Sequence, residues 1–196
     1  MSDDKKSLRK MLRGRLAAQA ACEIHEYSEM IFGRVMELPE YQAAGVVMAY
    51  ASMPGEVDTH TFLRDLLKSK QKTLVLPRVA DDGSHLEIFE VHSVSELYPR
   101  TLGILEPHPD VCRRATLDEV NLVLVPGLGF DARGYRLGRG KGHYDKMFAS
   151  VPSAQCVRVG VFFEAQRIGS LPVDIHDVRM DCIVTERGTF RPNEQY

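Results

Sequence analysis

Apolar positions along the chain switch between two periods. Near the start, Leu8, Met11, Leu12 and Leu16 recur at the spacing of a helix face, which predicts a helix from Asp3 to about Ala21. Lys5, Arg9 and Arg13, each four apart, form a basic stripe on that helix; by spacing alone the stripe is a solvated face. A second helix is predicted from about Glu23 to Glu37, stopping before Pro39. Short apolar runs follow. AAGVVMAYA (43–51) reads as a buried strand closed by the turn MPGEVD, after which Asp58 can cap a helix through Leu67 with Thr59 in its first turn. TLVLP (73–77), VRVGVFF (157–163) and CIVT (182–185) read as strands, and LEIFEV (86–91) alternates like a half-exposed one. VNLVLVPGLGF (120–130) holds the strongest buried strand, GILEP (103–107) reads as a turn, and a last helix is predicted from about His143 to Ala149.

Strands that alternate with helices imply βαβ units. The expected architecture is a single domain over 1–196: a three-layer α/β/α sandwich, Rossmann-like, around a mostly parallel central sheet. In such sheets ligands sit at the carboxyl ends of the strands.

Composition narrows the function classes. The 196 residues are 44% hydrophobic and 27% charged, with formal net charge −2 and pI near 6.4. That is an ordinary globular balance, and it argues against a general nucleic-acid binder, which needs a strongly basic domain. The start, MSDDKKSLRK, has no apolar run, and no stretch approaches the ~20 apolar residues of a membrane span. A cytoplasmic protein is expected, working as a monomer on small molecules, with neither nucleic acid nor membrane as partner. Cys22, Cys112, Cys156 and Cys182 are scattered without a CxxC pair; they are expected to be reduced core residues.

The candidate chemistry lies in RLGRGKGHYDK (136–146), which leaves the carboxyl end of the strongest strand. Alternate glycines let backbone approach a ligand closely, and successive N–H groups can form an anion nest. A helix N-terminus follows, and Arg136, Arg139 and Lys141 add full charges. These devices suit a polyphosphate; the competing reading is a mobile basic loop. Neither the P-loop nor the GxGxxG pattern fits, since Gly142 and His143 follow Lys141 and the third glycine comes one residue early. Asp145 is either a first-turn acid complementing the helix dipole or a magnesium ligand. DIHD (174–177) offers a second carboxylate, for which Asp177 is favoured over His176, because magnesium prefers oxygen.

The stretch VPGLGFDARGYRLGRGKGHYDK (125–146) resembles the signature of the 5-formyltetrahydrofolate cyclo-ligase family. KKSLRK near the start, SMPGEVDT (52–59), LPR (76–78), GILEP (103–107) and PVDIHDVRMDCIVTE (172–186) follow in the family's order, so the resemblance runs from about Lys5 to Glu186. It implies that ATP and 5-formyltetrahydrofolate become 5,10-methenyltetrahydrofolate, ADP and phosphate, with Mg2+ as cofactor. By that resemblance Lys5 and Arg9 contact ATP, together with Arg136, Leu137, Gly138, Arg139, Gly140, Lys141, Gly142, His143 and Tyr144, while Arg13 stays a surface charge. Arg139 to His143 also face the folate, Asp145 and Asp177 hold the magnesium, and Lys141 and Arg139 act in catalysis. Glu56 anchors the pterin, in a pocket lined by Ala51 and Met53; without the resemblance, Glu56 is a turn carboxylate. Many relatives carry an aromatic, often tyrosine, where this chain has His143, and some have a larger aliphatic at Ala51.

Two other readings remain at this point. A sugar-phosphate isomerase could share the layered fold, but it would leave Asp145 and Asp177 without a use. An RNA-binding module could use GRGKG, but the chain is acidic and the loop lacks interleaved aromatics. Turnover without ATP would favour the first, and strongly salt-dependent RNA retention the second.

Overall fold

The computed structural model describes residues 3–100, 103–150 and 156–192. Three helices open the chain: α1 (Asp3–Ala17), α2 (Ala21–Glu37) and the short α3 (Pro39–Ala43). Strand β1 (Val46–Met48) leads to α4 (His60–Ser69), which is followed by β2 (Thr73–Val79) and β3 (Leu86–Val91). Four short strands come next: β4 (Leu97–Pro99), β5 (Leu105–Pro107), β6 (Arg114–Ala115) and β7 (Leu122–Val125). The remainder is β8 (Gly129–Phe130), β9 (Arg136–Leu137), α5 (His143–Ala149), β10 (Val157–Val161), β11 (Cys182–Thr185) and β12 (Gly188–Phe190).

Eight of these strands form one sheet in the order β12-β11-β10-β7-β1-β2-β3-β6. The inner pairings, from β11 across to β2, are parallel; β12, β3 and β6 add antiparallel edges. The central position of β7 follows from its residues. Leu122, Val123, Leu124 and Val125 are all fully buried, as a strand covered on both faces must be. Leu122, Leu124, Leu74, Val159 and Val184 turn one way, to meet Leu12 and Leu16 of α1, Ile31 and Val35 of α2, and Phe62 and Leu66 of α4. Val123, Val125, Val75 and Ile183 turn the other way, against Phe130, Phe162 and Phe148 of α5. The expected mostly parallel sheet flanked by helices is therefore present, with four helices on one face and α5 plus loop segments on the other.

Several boundaries differ from the sequence reading, each for a physical reason. The first helix stops at Ala17, not Ala21, and the next begins at Ala21. Met11 is 40% exposed, off the apolar face. The run 43–51 gives only a three-residue strand, because Pro39 at a helix N-terminal position starts α3 and carries helix through Ala43. The fourth helix begins at His60 and runs on to Ser69, past Leu67, with Thr59 rather than Asp58 at the N-cap position and no hydrogen bond from its side chain to the cap; Asp58, one residue earlier, still accepts from the His60 N–H at 2.9 Å. Strand β2 continues through Pro77 because its pairing with β1 ends at Val75, so the missing N–H leaves the inner ladder intact. GILEP is not only a turn: Leu105–Pro107 pairs with Leu97–Pro99. The run 120–130 breaks at Pro126 and Gly127, leaving β7 and then β8, and 157–163 is strand only to Val161. Cys22 is exposed, while Cys112, Cys156 and Cys182 are buried; all four are free thiols. Among the described residues no helix is long and apolar enough to cross a membrane.

The break after β7 builds a hairpin. Strands β8 and β9 pair antiparallel through Gly129↔Leu137 and Phe130↔Arg136. Its turn is held by buried Asp131, which accepts from the Arg133 and Tyr135 N–H groups and the Arg133 guanidinium, and also from the Leu171 N–H. The hairpin thereby ties down the segment that carries Asp174 and Asp177. It lies close to α1: a Cβ on Gly129 would meet Leu12 Cδ1 at 2.6 Å and the Gln166 carbonyl at 3.0 Å. Gly129→Ala should overpack this junction by about 1–3 kcal/mol. In a chain of this size that is a fall in Tm of roughly 2–12 °C, read by thermal unfolding; an unchanged Tm would show that the hairpin does not press on α1 in this way.

Candidate active site

The glycine-rich stretch is not a featureless loop. It begins inside β9, where Arg136 and Leu137 are both buried, and ends in α5. Gly138 leaves room for the arginine beside it, since a Cβ there would stand 2.9 Å from Arg136 Nη1. Gly140 and Gly142 have φ of +114° and +68°, a region L side chains rarely enter. Gly142 is the residue at which α5 starts.

The side chains of the turn reach in different directions. Arg136 Nη2 donates to Asp145 Oδ1 at 2.9 Å, and its guanidinium lies over the Tyr144 ring, 5.4 Å from the centroid. Arg136 Nε is buried without a hydrogen-bond partner, a donor whose isolation calls for an acceptor. Arg139 crosses to the loop after β1, placing both Nε and Nη2 at 2.8 Å from Glu56 Oε1. Glu56 is 5% exposed, and its Oε2 accepts from the Met53 N–H at 3.0 Å. It is thus a buried, charge-paired group rather than an open turn carboxylate, with the Met53 backbone beside it; Ala51 and Met53 are both half-buried. His143 Nε2 lies 3.1 Å from the Gly83 carbonyl, and Lys146 Nζ donates to the Ser84 carbonyl at 3.0 Å. A carbonyl only accepts, so Nε2 of His143 carries the proton. Lys141 is exposed and makes no ion pair among the described residues. Burial, and the Glu56 charge after it, push the Tyr144 phenol well above its ordinary pKa, so Tyr144 is a neutral wall of the site.

Helix α1 closes the other side. Arg9 Nε donates to the Gly138 carbonyl at 2.9 Å. Lys5 is 6% exposed and places Nζ at 2.6 Å from both Asp174 Oδ2 and Asp177 Oδ2. Burial opposes its charge, but the hydrogen bonds to Asp174 and Asp177 outweigh this and hold its pKa above the ordinary value. The basic stripe is therefore divided: Lys5 is buried and paired, Arg9 reaches the turn, and Arg13 is exposed, the surface charge expected of it.

Asp145 and Asp177 come from adjoining segments, since the Val178 N–H, one residue past Asp177, lies 3.3 Å from Asp145 Oδ1. Both are hard oxygen donors. Among the described residues no three His, Cys, Asp or Glu side chains gather to hold a metal unaided. Two carboxylates without a third protein ligand suit magnesium, which keeps waters and substrate phosphates in its shell. His176 is exposed and takes no part. A cleft of about 630 Å³ opens elsewhere, between α2, α3 and α4, with Phe32, Tyr41, Phe62 and Leu66 in its wall; none of the residues expected at the site lines it.

Sequence reasoning missed the partners of these side chains. The Arg139–Glu56 pair and the Gly83–Ser84 turn under α5 join segments far apart in sequence, and the Arg136–Asp145 pair, nine residues apart, spans a strand-to-helix turn; none leaves a periodic signal. Asp174 was visible in DIHD, three residues before Asp177, but the second partner of Lys5 is not readable from spacing.

Fold and site together define an α/β protein whose cation-rich turn crosses the carboxyl edge of a parallel sheet. A model of the 5-formyltetrahydrofolate cyclo-ligase family matches residues 1–186. The chain is similar to the 5-formyltetrahydrofolate cyclo-ligase of Mus musculus, with 32% identity over 93% of this chain and 93% of that protein. It is also similar to the probable 5-formyltetrahydrofolate cyclo-ligase of Schizosaccharomyces pombe, with 31% identity over 97% and 99%. The solved structure of Aquifex aeolicus 5,10-methenyltetrahydrofolate synthetase superposes with a TM-score of 0.84 at 34% identity, covering 98% of this chain and 94% of that one. The chain belongs to the 5-formyltetrahydrofolate cyclo-ligase family, as its motifs led us to expect.

The Arg139–Glu56 pair is open to direct test. Because Arg139 is about one-third exposed, solvent screens part of its attraction. A double-mutant cycle of Arg139→Ala and Glu56→Gln, followed by denaturant unfolding, should give a coupling of roughly 1 kcal/mol. Strict additivity would mean that the two loops are not tied through this contact.

Proposed function

We propose that the protein converts 5-formyltetrahydrofolate and ATP to 5,10-methenyltetrahydrofolate, ADP and phosphate, with magnesium. It does so as a cytoplasmic monomer acting on small molecules. The observation that carries this reading is the convergence, on one edge of the sheet, of a turn rich in cations with two carboxylates and the buried Glu56.

The chemistry explains why the site needs charge more than a nucleophile. The formyl group on N5 is an amide, and its oxygen is a poor leaving group. Attack of that oxygen on the γ-phosphorus of ATP forms an O–P bond, releases ADP and leaves an iminium phosphate. N10 then bonds to the formyl carbon, gives up its proton, and phosphate departs with the former formyl oxygen. The second step is intramolecular, where proximity contributes much of the rate. Phosphoryl transfer asks the protein to align the ligands and offset developing charge.

Each residue has a role in this reading. Among the described residues Lys141 makes no ion pair and is therefore the cation available to the moving phosphoryl group. The unpartnered Nε of Arg136 supplies a donor for phosphate oxygen. Arg9, held to Gly138, and Lys5 add charge from α1. Glu56 presents a carboxylate to the amino and ring N–H groups of the pterin, and Arg139 holds it in place. Asp145 and Asp177 hold the magnesium, which neutralises phosphate charge when bound. His143, anchored to Gly83, presents a flat ring to the substrate.

The purified protein, given substrate, ATP and magnesium, should produce the absorbance of the conjugated methenyl product, and should need all three. Turnover without ATP would contradict the proposal. Lys141→Ala should lower turnover about tenfold or more, because a charge-assisted contact contributes about 1.5–3 kcal/mol; near-normal rates would remove Lys141 from catalysis. Asp145→Ala should lower turnover and raise the magnesium concentration required, and unchanged kinetics would remove Asp145 from the metal.

A further inference from the structure

Both carboxylates assigned to magnesium are already neutralised by cations assigned to the nucleotide. Lys5 Nζ sits 2.6 Å from Asp177 Oδ2, and Arg136 Nη2 sits 2.9 Å from Asp145 Oδ1. Lys5 has a second partner that no role has yet absorbed: Asp174, also at 2.6 Å. The two aspartates differ. Asp174 is 66% exposed at its side chain and Asp177 only 23%. They are also joined, since the Asp174 N–H donates to Asp177 Oδ2 at 2.7 Å. A single ammonium, 8% exposed at its side chain, thus spans an outer carboxylate and an inner one.

We propose that Lys5 is the resting-state counter-ion of the metal carboxylate Asp177, and that Asp174 is a positioning residue that keeps hold of Lys5 when the two separate. This rests on the assignment of Asp177 to the metal and Lys5 to the nucleotide. An ammonium and a divalent cation cannot both occupy the same carboxylate oxygen at contact distance, because like charges so close repel each other. Arrival of metal with triphosphate resolves the conflict by exchange: Asp177 turns from Lys5 to the metal, and Lys5 turns from Asp177 to phosphate. Asp174 stays paired with Lys5 throughout, so the lysine is neither released to solvent nor left buried without a partner, which would be costly. Two consequences follow from the geometry. Divalent cation alone is kept out of the site, because it brings no phosphate to receive Lys5. Metal and nucleotide therefore bind together.

The test is metal binding itself, with Mn2+ as a paramagnetic probe in place of magnesium and free Mn2+ read by electron paramagnetic resonance. The wild-type protein should bind Mn2+ weakly alone and tightly with a non-hydrolysable ATP analogue. Lys5→Met keeps the apolar stem and removes the charge; it should bind Mn2+ without nucleotide at least about tenfold more tightly than wild type, the size of effect expected for one charge-assisted contact. Lys5→Arg, which keeps the charge, should behave as wild type. Asp174→Asn, at an exposed position, should leave nucleotide-free Mn2+ binding weak, because Lys5 still covers Asp177, while weakening binding of the Mn2+–nucleotide pair several-fold. Equal Mn2+ affinity in wild type and Lys5→Met would overturn the counter-ion role. Unchanged binding of the pair in Asp174→Asn would overturn the positioning role. If the wild type binds the nucleotide analogue with no dependence on Mn2+, the functional reading falls and this inference with it, a result distinct from the other two.

Discussion

The neutralisation of buried charge governs the arrangement at the carboxyl edge of the sheet. Lys5, Arg136 and Glu56 are each less than one-tenth exposed, and an isolated ion in such a place is prohibitively unfavourable. Each has its counter-charge on a different segment: Lys5 on the loop before β11, Arg136 at the start of α5, and Glu56 across the turn on Arg139. The pairs do more than satisfy charge. They tie α1, the loop after β1, the glycine-rich turn and the 171–180 segment into one surface. The sheet places these segments at one edge, and the ion pairs set how they meet there.

In the proposed function, the same pairs prepare the site for phosphate. A cation already held by a carboxylate of the protein is oriented before any ligand arrives, and its desolvation is already offset by its partner. Among the described residues, the exposed Lys141 makes no ion pair and the buried Nε of Arg136 has no hydrogen-bond partner. Preorganised charge of this kind is what phosphoryl transfer rewards, since little reorganisation remains for the reacting state. The glycines serve the same end by steric means. Gly138 makes room for Arg136, while Gly140 and Gly142 take backbone angles that carry the chain from strand into helix.

How much of this the sequence showed depended on whether a signal was local. The run LVLV announced its central strand because burial on both faces demands an unbroken apolar stretch. The helix from His143 to Ala149 was legible from the glycines before it and the acid in its first turn. By contrast, β4, β6, β9 and β12 are two or three residues long, too short for any period to register. The 43–51 run overstated its strand because apolar residues there also serve α3 and the turn after β1. At the candidate site, the residues singled out came from the glycine spacing and the family motifs. Their pairings were not legible, since Glu56 and Arg139 lie 83 residues apart and Lys5 and Asp177 lie 172 apart. Only the folded sheet brings such groups together.

The central claim is that nucleotide is gripped by the turn between β9 and α5 and by α1. Its most direct measurement is a titration of the ¹⁵N-labelled protein with magnesium and a non-hydrolysable ATP analogue, followed amide by amide. The account predicts saturable shifts concentrated at Gly138, Gly140, Lys141 and Gly142, with companion shifts at Lys5, Arg9 and Val178. Saturable binding that left these amides unmoved and shifted those of the cleft between α2 and α4 instead would contradict it.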